Sequence, residues 1–337
     1  DTGLSFWGGI DPVSGRVIDV HHPNHGDEVS GCVLTMPTSR GSCSGSGVLL
    51  ELALNNRAPA CLIFTEQEET LTLGALVAGR IFGKVVPVVR VSPALFERIA
   101  CAGSVDLEAG VLRVDGDEFP VEYLRPEALD LSMADQKILS GEAGEANRMA
   151  MEVLCQMAAA QGASRLRDVT RGHIDGCILA HDANLIFAEK LATMGAKVGI
   201  PTTINAISVD REHWQDQGLP RDFGSRASRL ADAYVQMGAQ PTFTCAPYLL
   251  DPPPKQGEAI GWSESNAVIY ANTVLGAQTV KHPDYLDLFI AMTGRAPLAG
   301  VYLPEGRQAR RVVEVSLPPS MGDESLWALL GWLVGRA

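Results

Sequence analysis

Residues 38–54 read TSRGSCSGSGVLLELAL, a stretch in which four serines, three glycines, an arginine and a cysteine give way to an apolar run of helical composition. Gly41, Gly45 and Gly47 let the backbone of such a loop come close to a ligand. A helix beginning near Ser46 turns its unpaired N–H groups and the positive end of its dipole toward the same space. The spacing is neither GxxxxGK[ST] nor GxGxxG, which argues for a small carboxylate over a nucleotide. Arg40 is placed to clamp that carboxylate with two hydrogen bonds, and a serine hydroxyl beside it can serve as a base. The same residues also describe an N-capped turn rich in Ser and Gly for local reasons, and the loop alone leaves both readings open.

Working outward, short apolar or β-branched runs at 16–20 (RVIDV), 32–36 (CVLTM), 60–64 (ACLIF) and 85–91 (KVVPVVRV) read as buried strands bounded by Gly, Pro or Asn. Helical stretches lie between them near 46–55 and 70–82, so the alternation predicts a small α/β unit over residues 1–117. Residues 118–130, with two prolines and no clean period, are expected to be a linker. A second α/β unit is expected over 131–337, opening with helices at 132–139 and 142–160. RLRDVT, AKVGI and RVVEVSL read there as strands, and 184–194, 224–237, 265–275 and 285–292 as helices. No internal repeat or low-complexity tract is visible.

Composition narrows the function. The 337 residues carry 27 basic and 40 acidic side chains, a formal charge of -13, the wrong sign for a nucleic-acid binder. Seven cysteines, an odd number without CxxC spacing, suggest neither a disulfide framework nor a zinc ribbon and fit a reducing cytoplasm. Apolar runs are broken by charge, as by Arg80 in LTLGALVAGRIFG, so no segment reaches the ~20 residues of a membrane span, and no signal peptide is recognisable. The chain begins at Asp1 and stops soon after LWALLGWLVGRA. Both ends therefore read as cuts in a longer protein.

Four further stretches carry polar chemistry. RGHIDGC (171–177) places His173 and Asp175 two apart beside Gly176. In PTTINAISVD (201–210), Thr202, Thr203 and Asn205 fall at the carboxyl end of an expected strand, where open α/β sheets hold their ligands. QPTFTCAPY (240–248) presents Cys245 in a setting suited to a metal thiolate, and GWSESNAVIYANTVLGAQT (261–279) opens on Ser263, Glu264, Ser265 and Asn266. Asn272, inside the following apolar helix, reads as a satisfied core amide.

In order, SFWGGIDPVSGRVIDVHHP, RGSCSGSG and APACLIF resemble the swivel domain of the aconitase X family, and HIDG, PTTINA, PTFTCAPY and ESNAVIYANTVLGA resemble its catalytic domain. The resemblance implies a dehydratase related to aconitase that carries an iron–sulfur cluster. It implies a swivel fused ahead of an aconitase-like α/β domain, here incomplete at its C-terminal end because the family's later cysteines are not seen. The fused order is that of the branch that dehydrates cis-3-hydroxy-L-proline. The other branch dehydrates mevalonate 5-phosphate, and a binding relic that has lost its metal is the non-enzymatic alternative. The family's base falls on Ser42, assisted here by Arg40, and its cluster-bearing cysteine on Cys245. Substrate contacts are expected around His173, Asp175, Gly176 and Asn205, and, with the polar positions read above, at Ser44, Ser46, Thr203, Ser265 and Asn266. Asp175, with little lysine expected nearby, is suited to a ring ammonium and unsuited to a phosphate. The expected partner is a small hydroxy amino acid, with no nucleic acid and no membrane, bound by a monomer or weak homo-oligomer.

Overall fold

The β-branched runs form a parallel sheet in a computed structural model that describes residues 2–121, 123–309, 311–316 and 325–336. Val33–Thr35 (β1), Cys61–Phe64 (β2) and Val88–Arg90 (β3) lie in the order β1-β2-β3, with Val33 opposite Cys61 and Leu62 opposite Val88. All four residues of β2 are buried, as in a central strand covered on both faces. Helices Gly45–Leu54 (α1) and Thr70–Phe82 (α2) supply the crossovers. They cross closely at Gly74: a Cβ there would sit 2.7 Å from the Ser46 carbonyl oxygen and 3.2 Å from Leu49 Cβ. Of the expected strand at 16–20 only Arg16–Val17 is one, paired with Ile10–Asp11.

Strand structure runs into the segment expected to be a linker. Val105–Glu108 (β4), Val111–Val114 (β5) and Asp117–Pro120 (β6) form an antiparallel sheet in which Glu118 pairs with Arg113 and Phe119 with Leu112. Residues 118–120 are thus strand. The signal lay in the connections. Ala109-Gly110 and Asp115-Gly116 all have positive φ, the two-residue hairpin turn that matches strand twist. Leu112 and Val114 face inward against Ile99, Cys61 and Ile63.

The second unit opens with a helix, Met133–Leu139, held by a capping box: Ser132 Oγ accepts from the Asp135 amide and Asp135 accepts from the Ser132 amide. The long helix Glu145–Ala160 (α3) follows, its Ala150, Met151, Val153, Leu154 and Met157 wholly buried. Gly172–Ile174 (β7), Thr202–Ile204 (β8) and Gly261–Trp262 (β9) form a parallel sheet in the order β8-β7-β9, with Gly172 opposite both Thr202 and Gly261. Their carboxyl ends therefore open at one edge, and Asp175, Asn205 and Ser263 leave from it. The apolar helix Leu286–Thr293 (α4) packs beneath this sheet.

Two expected strands are corrected. Residues 196–200 (AKVGI) have the composition of a strand, yet Val198 N donates to Met237 O and Gly199 N to Ala291 O, which ties the segment to helix carbonyls and leaves pairing to Thr202–Ile204. In RVVEVSL, residues 311–316 form no strand and Leu317 lies outside the described residues. The C-terminal run forms a helix, Ser325–Arg336. Among the described residues no helix is long and apolar enough to cross a membrane. Because its methyl would press on the backbone of α1, Gly74→Ala is expected to lower stability by about 1–3 kcal/mol in equilibrium urea unfolding.

Candidate active site

The Ser/Gly loop enters α1 through Gly41, whose φ of 95° and whose absent Cβ, which would fall 2.2 Å from Ser5 Oγ, leave no room for another residue. The first amides of the helix are already used inside the turn: Gly45 N donates to Ser42 O, Ser46 N to Cys43 O, and Gly47 N to Ser44 O. Ser44, at the N-cap position, makes no side-chain capping bond. Its hydroxyl donates instead to Asp284 Oδ2 at 2.7 Å, and the Cys43 thiol donates to Asp284 Oδ1 at 2.8 Å. The anion expected at this helix start is thus supplied by the chain itself, from the second unit, where the helix dipole favours it. Ser46 Oγ lies 2.9 Å from Cys43 O and 3.1 Å from Asp284 O. Ser42 Oγ donates to Ser44 Oγ at 3.3 Å, so a chain of hydroxyls runs from Ser42 through Ser44 to Asp284.

The facing wall is built from the sheet's open edge. Asp287, fully buried on α4, accepts from Asp175 N at 2.7 Å, Ser263 Oγ at 2.9 Å and Leu288 N at 2.8 Å, so one carboxylate fixes the ends of β7 and β9 together. Lys281 Nζ donates to Cys43 Sγ at 3.1 Å, to Asp175 Oδ2 at 3.3 Å and to the Ser263 carbonyl. Burial pushes the Asp175 carboxyl up to about 6, with Lys281 pulling it down and Asp287 and Glu264 adding to the rise. Burial likewise raises Asp284, reinforced by Asp175, and burial with Asp284 pushes the Cys43 thiol up to about 12, so Cys43 stays protonated as a donor. Cys43, Asp175 and Asp284 bring ligand-type atoms within 4.8 Å of one another. Lys281 Nζ, bonded to the first two, already supplies the cation of that group.

Ser42, Ser44 and Asp175 therefore meet at the junction of the two units, where Ser46 is wholly buried with its hydroxyl held by backbone carbonyls. His173 and Asn205 are buried with no exposed surface and act from behind it. His173 is hydrogen-bonded to Thr203 Oγ1 at 2.8 Å and to Glu264 Oε2 at 3.2 Å. Asn205 Nδ2 donates to Asp175 O at 2.7 Å and to its Oδ1 at 3.1 Å, while Asn205 Oδ1 accepts from Cys177 N, so Asn205 shapes the 175–177 turn. Gly176 passes beneath Tyr234, whose hydroxyl a Cβ would meet at 2.9 Å. Cys245 is half-buried and hydrogen-bonded to Glu264. Burial raises the Glu264 carboxyl, and its bonds to His173 and Cys245 more than offset this, leaving it below its usual range. Asn266 Nδ2 donates to Cys245 O at 2.7 Å, and Ser265 lies exposed beside it. Asn272 is a satisfied amide, donating to Val268 O and Thr279 O. Arg40 is turned away from the cluster, its guanidinium half-exposed and 2.7 Å from Asp19.

The expectation of little lysine near Asp175 is corrected by Lys281, which lies 106 positions away in sequence. Lys281, Asp284 and Asp287 were missed together. Their segment, KHPDYLD (281–287), reads as a charged turn before an apolar helix, and its signal was the aspartate carried into that helix. Among the described residues, the cluster of three ligand-type side chains does not include Cys245. Iron–sulfur clusters are held by several thiolates, and the described residues do not by themselves form such a cage.

The chain is 50% identical over 341 residues to the cis-3-hydroxy-L-proline dehydratase of Pseudomonas aeruginosa, and 47% identical over 345 residues to that of Hypocrea jecorina. Each alignment takes in 99% of this chain and 58% of the relative, so the chain spans somewhat over half the length of these proteins. The large subunit of phosphomevalonate dehydratase from Methanothermobacter thermautotrophicus is 34% identical over 208 residues, 61% of this chain and 51% of that one. The model of the Aconitase X swivel domain matches residues 1–116, and that of the Aconitase X first domain matches 128–305. Since the latter alone takes in more than half of the sequence, the chain belongs to the aconitase X family.

Proposed function

We propose that this chain forms the substrate-handling part of a dehydratase that removes water from cis-3-hydroxy-L-proline to give Δ1-pyrroline-2-carboxylate. The observation that carries this reading is the hydroxyl chain from Ser42 to the buried Asp284, closed across the junction and facing Asp175 and Lys281. The 50% and 47% identities to proteins of that name support the substrate. So does the charge of the wall. Asp175, Asp284 and Glu264 outnumber the one ammonium of Lys281, and this excess of carboxylates repels a phosphate dianion and suits a secondary ammonium.

Elimination requires a base at C2 and a departing hydroxyl at C3. Ser42 Oγ takes the C2 proton while its own proton passes to Ser44 Oγ and that of Ser44 to Asp284 Oδ2. A free serine is a poor base, and Asp284, raised by burial, supplies the basicity the hydroxyl lacks. Asp175 holds the ring ammonium, and Asn205 holds Asp175. The enamine left by loss of hydroxide tautomerises to the cyclic imine. Cys245 is the thiol we assign to an iron–sulfur cluster, whose other ligands the described residues do not supply. When bound, such a cluster would supply a Lewis acid for the departing C3 hydroxyl.

Ser42→Ala is expected to lower turnover of cis-3-hydroxy-L-proline by about 10²–10⁴-fold with an unchanged unfolding midpoint, assayed as imine formation under anaerobic conditions. Retained turnover would remove Ser42 from the base role. Ser44→Ala, which cuts the hydroxyl chain, should lower kcat and spare KM. Cys245→Ala should lose iron and acid-labile sulfide by chemical analysis, and full iron content in that variant would sink the ligand assignment.

Activity should also follow the ionisation of Asp175. Because an ammonium partner needs the carboxylate, kcat/KM should rise with pH through about 6, and Asp175→Asn should abolish that limb. Stability runs the other way. Asp175 binds its proton more tightly folded than unfolded, so its contribution falls as pH rises from 3.8 through about 6.

A further inference from the structure

Lys281 has no part in the proposed elimination so far, and it touches both sides of the site. Its three ammonium donors are all placed: one on the Ser263 carbonyl, one on Asp175 Oδ2 at 3.3 Å, one on Cys43 Sγ at 3.1 Å. They are unequal. The carbonyl and the carboxylate are strong acceptors, whereas a thiol sulfur, itself donating to Asp284, is a weak one. The donor aimed at the serine loop is thus the one that an incoming anion takes over at least cost, exchanging a neutral sulfur for a charge-assisted bond. Burial lowers the Lys281 ammonium, while Cys43 and then the facing Asp175 and Asp284 raise it, with a net rise. Arg40, the other cation near the loop, is committed to Asp19.

We propose that Lys281 and Asp175 together read the zwitterionic head of an α-amino acid, Lys281 taking its carboxylate and Asp175 its ammonium. The two side chains stand 3.3 Å apart with opposite charge. An α-amino acid carries opposite charges on groups attached to one carbon, so it can lie antiparallel to the pair and satisfy both at once. The arrangement sets the carboxylate toward Cys43 and the serine loop, with the C2 hydrogen next to the loop's hydroxyls. It selects zwitterions. A hydroxy acid without an amine leaves Asp175 unmatched, and an amine without a carboxylate leaves Lys281 unmatched. The proposal rests on the reading of the site as an amino-acid dehydratase, and it adds the residue that recognises the carboxylate.

The test uses three unreactive probes that share one ring: L-proline, pyrrolidine, which keeps only the ammonium, and tetrahydrofuran-2-carboxylate, which keeps only the carboxylate. Binding to the purified protein is measured by calorimetry, alongside turnover of cis-3-hydroxy-L-proline. Wild type should bind L-proline at least tenfold more tightly than either half-probe. Lys281→Met should weaken L-proline by tenfold or more, to the level of pyrrolidine, while pyrrolidine, freed of a competing cation at Asp175, binds no more weakly than to wild type. Lys281→Arg should restore L-proline to within a few-fold, and in Lys281→Met the loss of turnover should fall mainly on KM. A merely structural lysine would move pyrrolidine and L-proline alike, and circular dichroism of both variants reports folding directly. L-proline binding Lys281→Met as tightly as wild type, while wild type still turns over the hydroxyproline, overturns the role of Lys281 and leaves the dehydratase reading standing. Wild type that neither turns over the hydroxyproline nor binds L-proline overturns both.

Discussion

Everything at the junction depends on one buried carboxylate. Asp284 belongs to the second unit, yet its oxygens accept from Cys43 and Ser44 of the first, and its carbonyl faces Ser46. A carboxylate without exposed surface is tolerated only when donors surround it, and here the donors come from a loop more than two hundred residues away. If the serine loop withdrew, Asp284 would be left buried and unpaired or would have to take up water. The contact that positions the serine loop therefore also stabilises the approach of the two units, so the proposed proton path and the cohesion of the units share the same atoms.

Much of the fold could be read before the structure was seen. β1, β2, α1 and α2 come from apolar and β-branched runs punctuated by glycine and proline, and such local patterns carry their own periodicity. Where local pattern and tertiary demand disagree, the reading slips. Residues 196–200 have the apolar content of a strand, but their amides are claimed by the ends of two helices, so Thr202–Ile204 pairs with β7 instead. The hairpins of β4 to β6 were hidden by charge and proline and betrayed by their two-residue connections, Ala109-Gly110 and Asp115-Gly116.

The site was legible in part, for a related reason. Ser42, Asp175 and Cys245 sit in motifs whose residue types announce chemistry locally. Lys281, Asp284 and Asp287 do not. Each looks like an ordinary charge beside a helix start, and each acquires meaning only from partners distant in the chain, such as Cys43, which no window of sequence brings together. Arg40 errs in the opposite sense: its place beside the serine loop suggested a clamp, while its actual partner, Asp19, lies in the same unit.

The bonds of Asp287 have a consequence for how such a site changes over evolutionary time. That carboxylate cross-ties the ends of β7 and β9 to α4, so one side of the junction behaves as a single block, in which a substitution at any member disturbs the others. The opposing side is a short glycine-rich loop on a separate unit, joined to the block by a few side-chain bonds. In the roles proposed above, the block carries recognition of the substrate's charged groups through Asp175 and Lys281, and the loop carries the base. A junction divided in this way ties any change of substrate to the whole block and leaves the base, on the other unit, untouched.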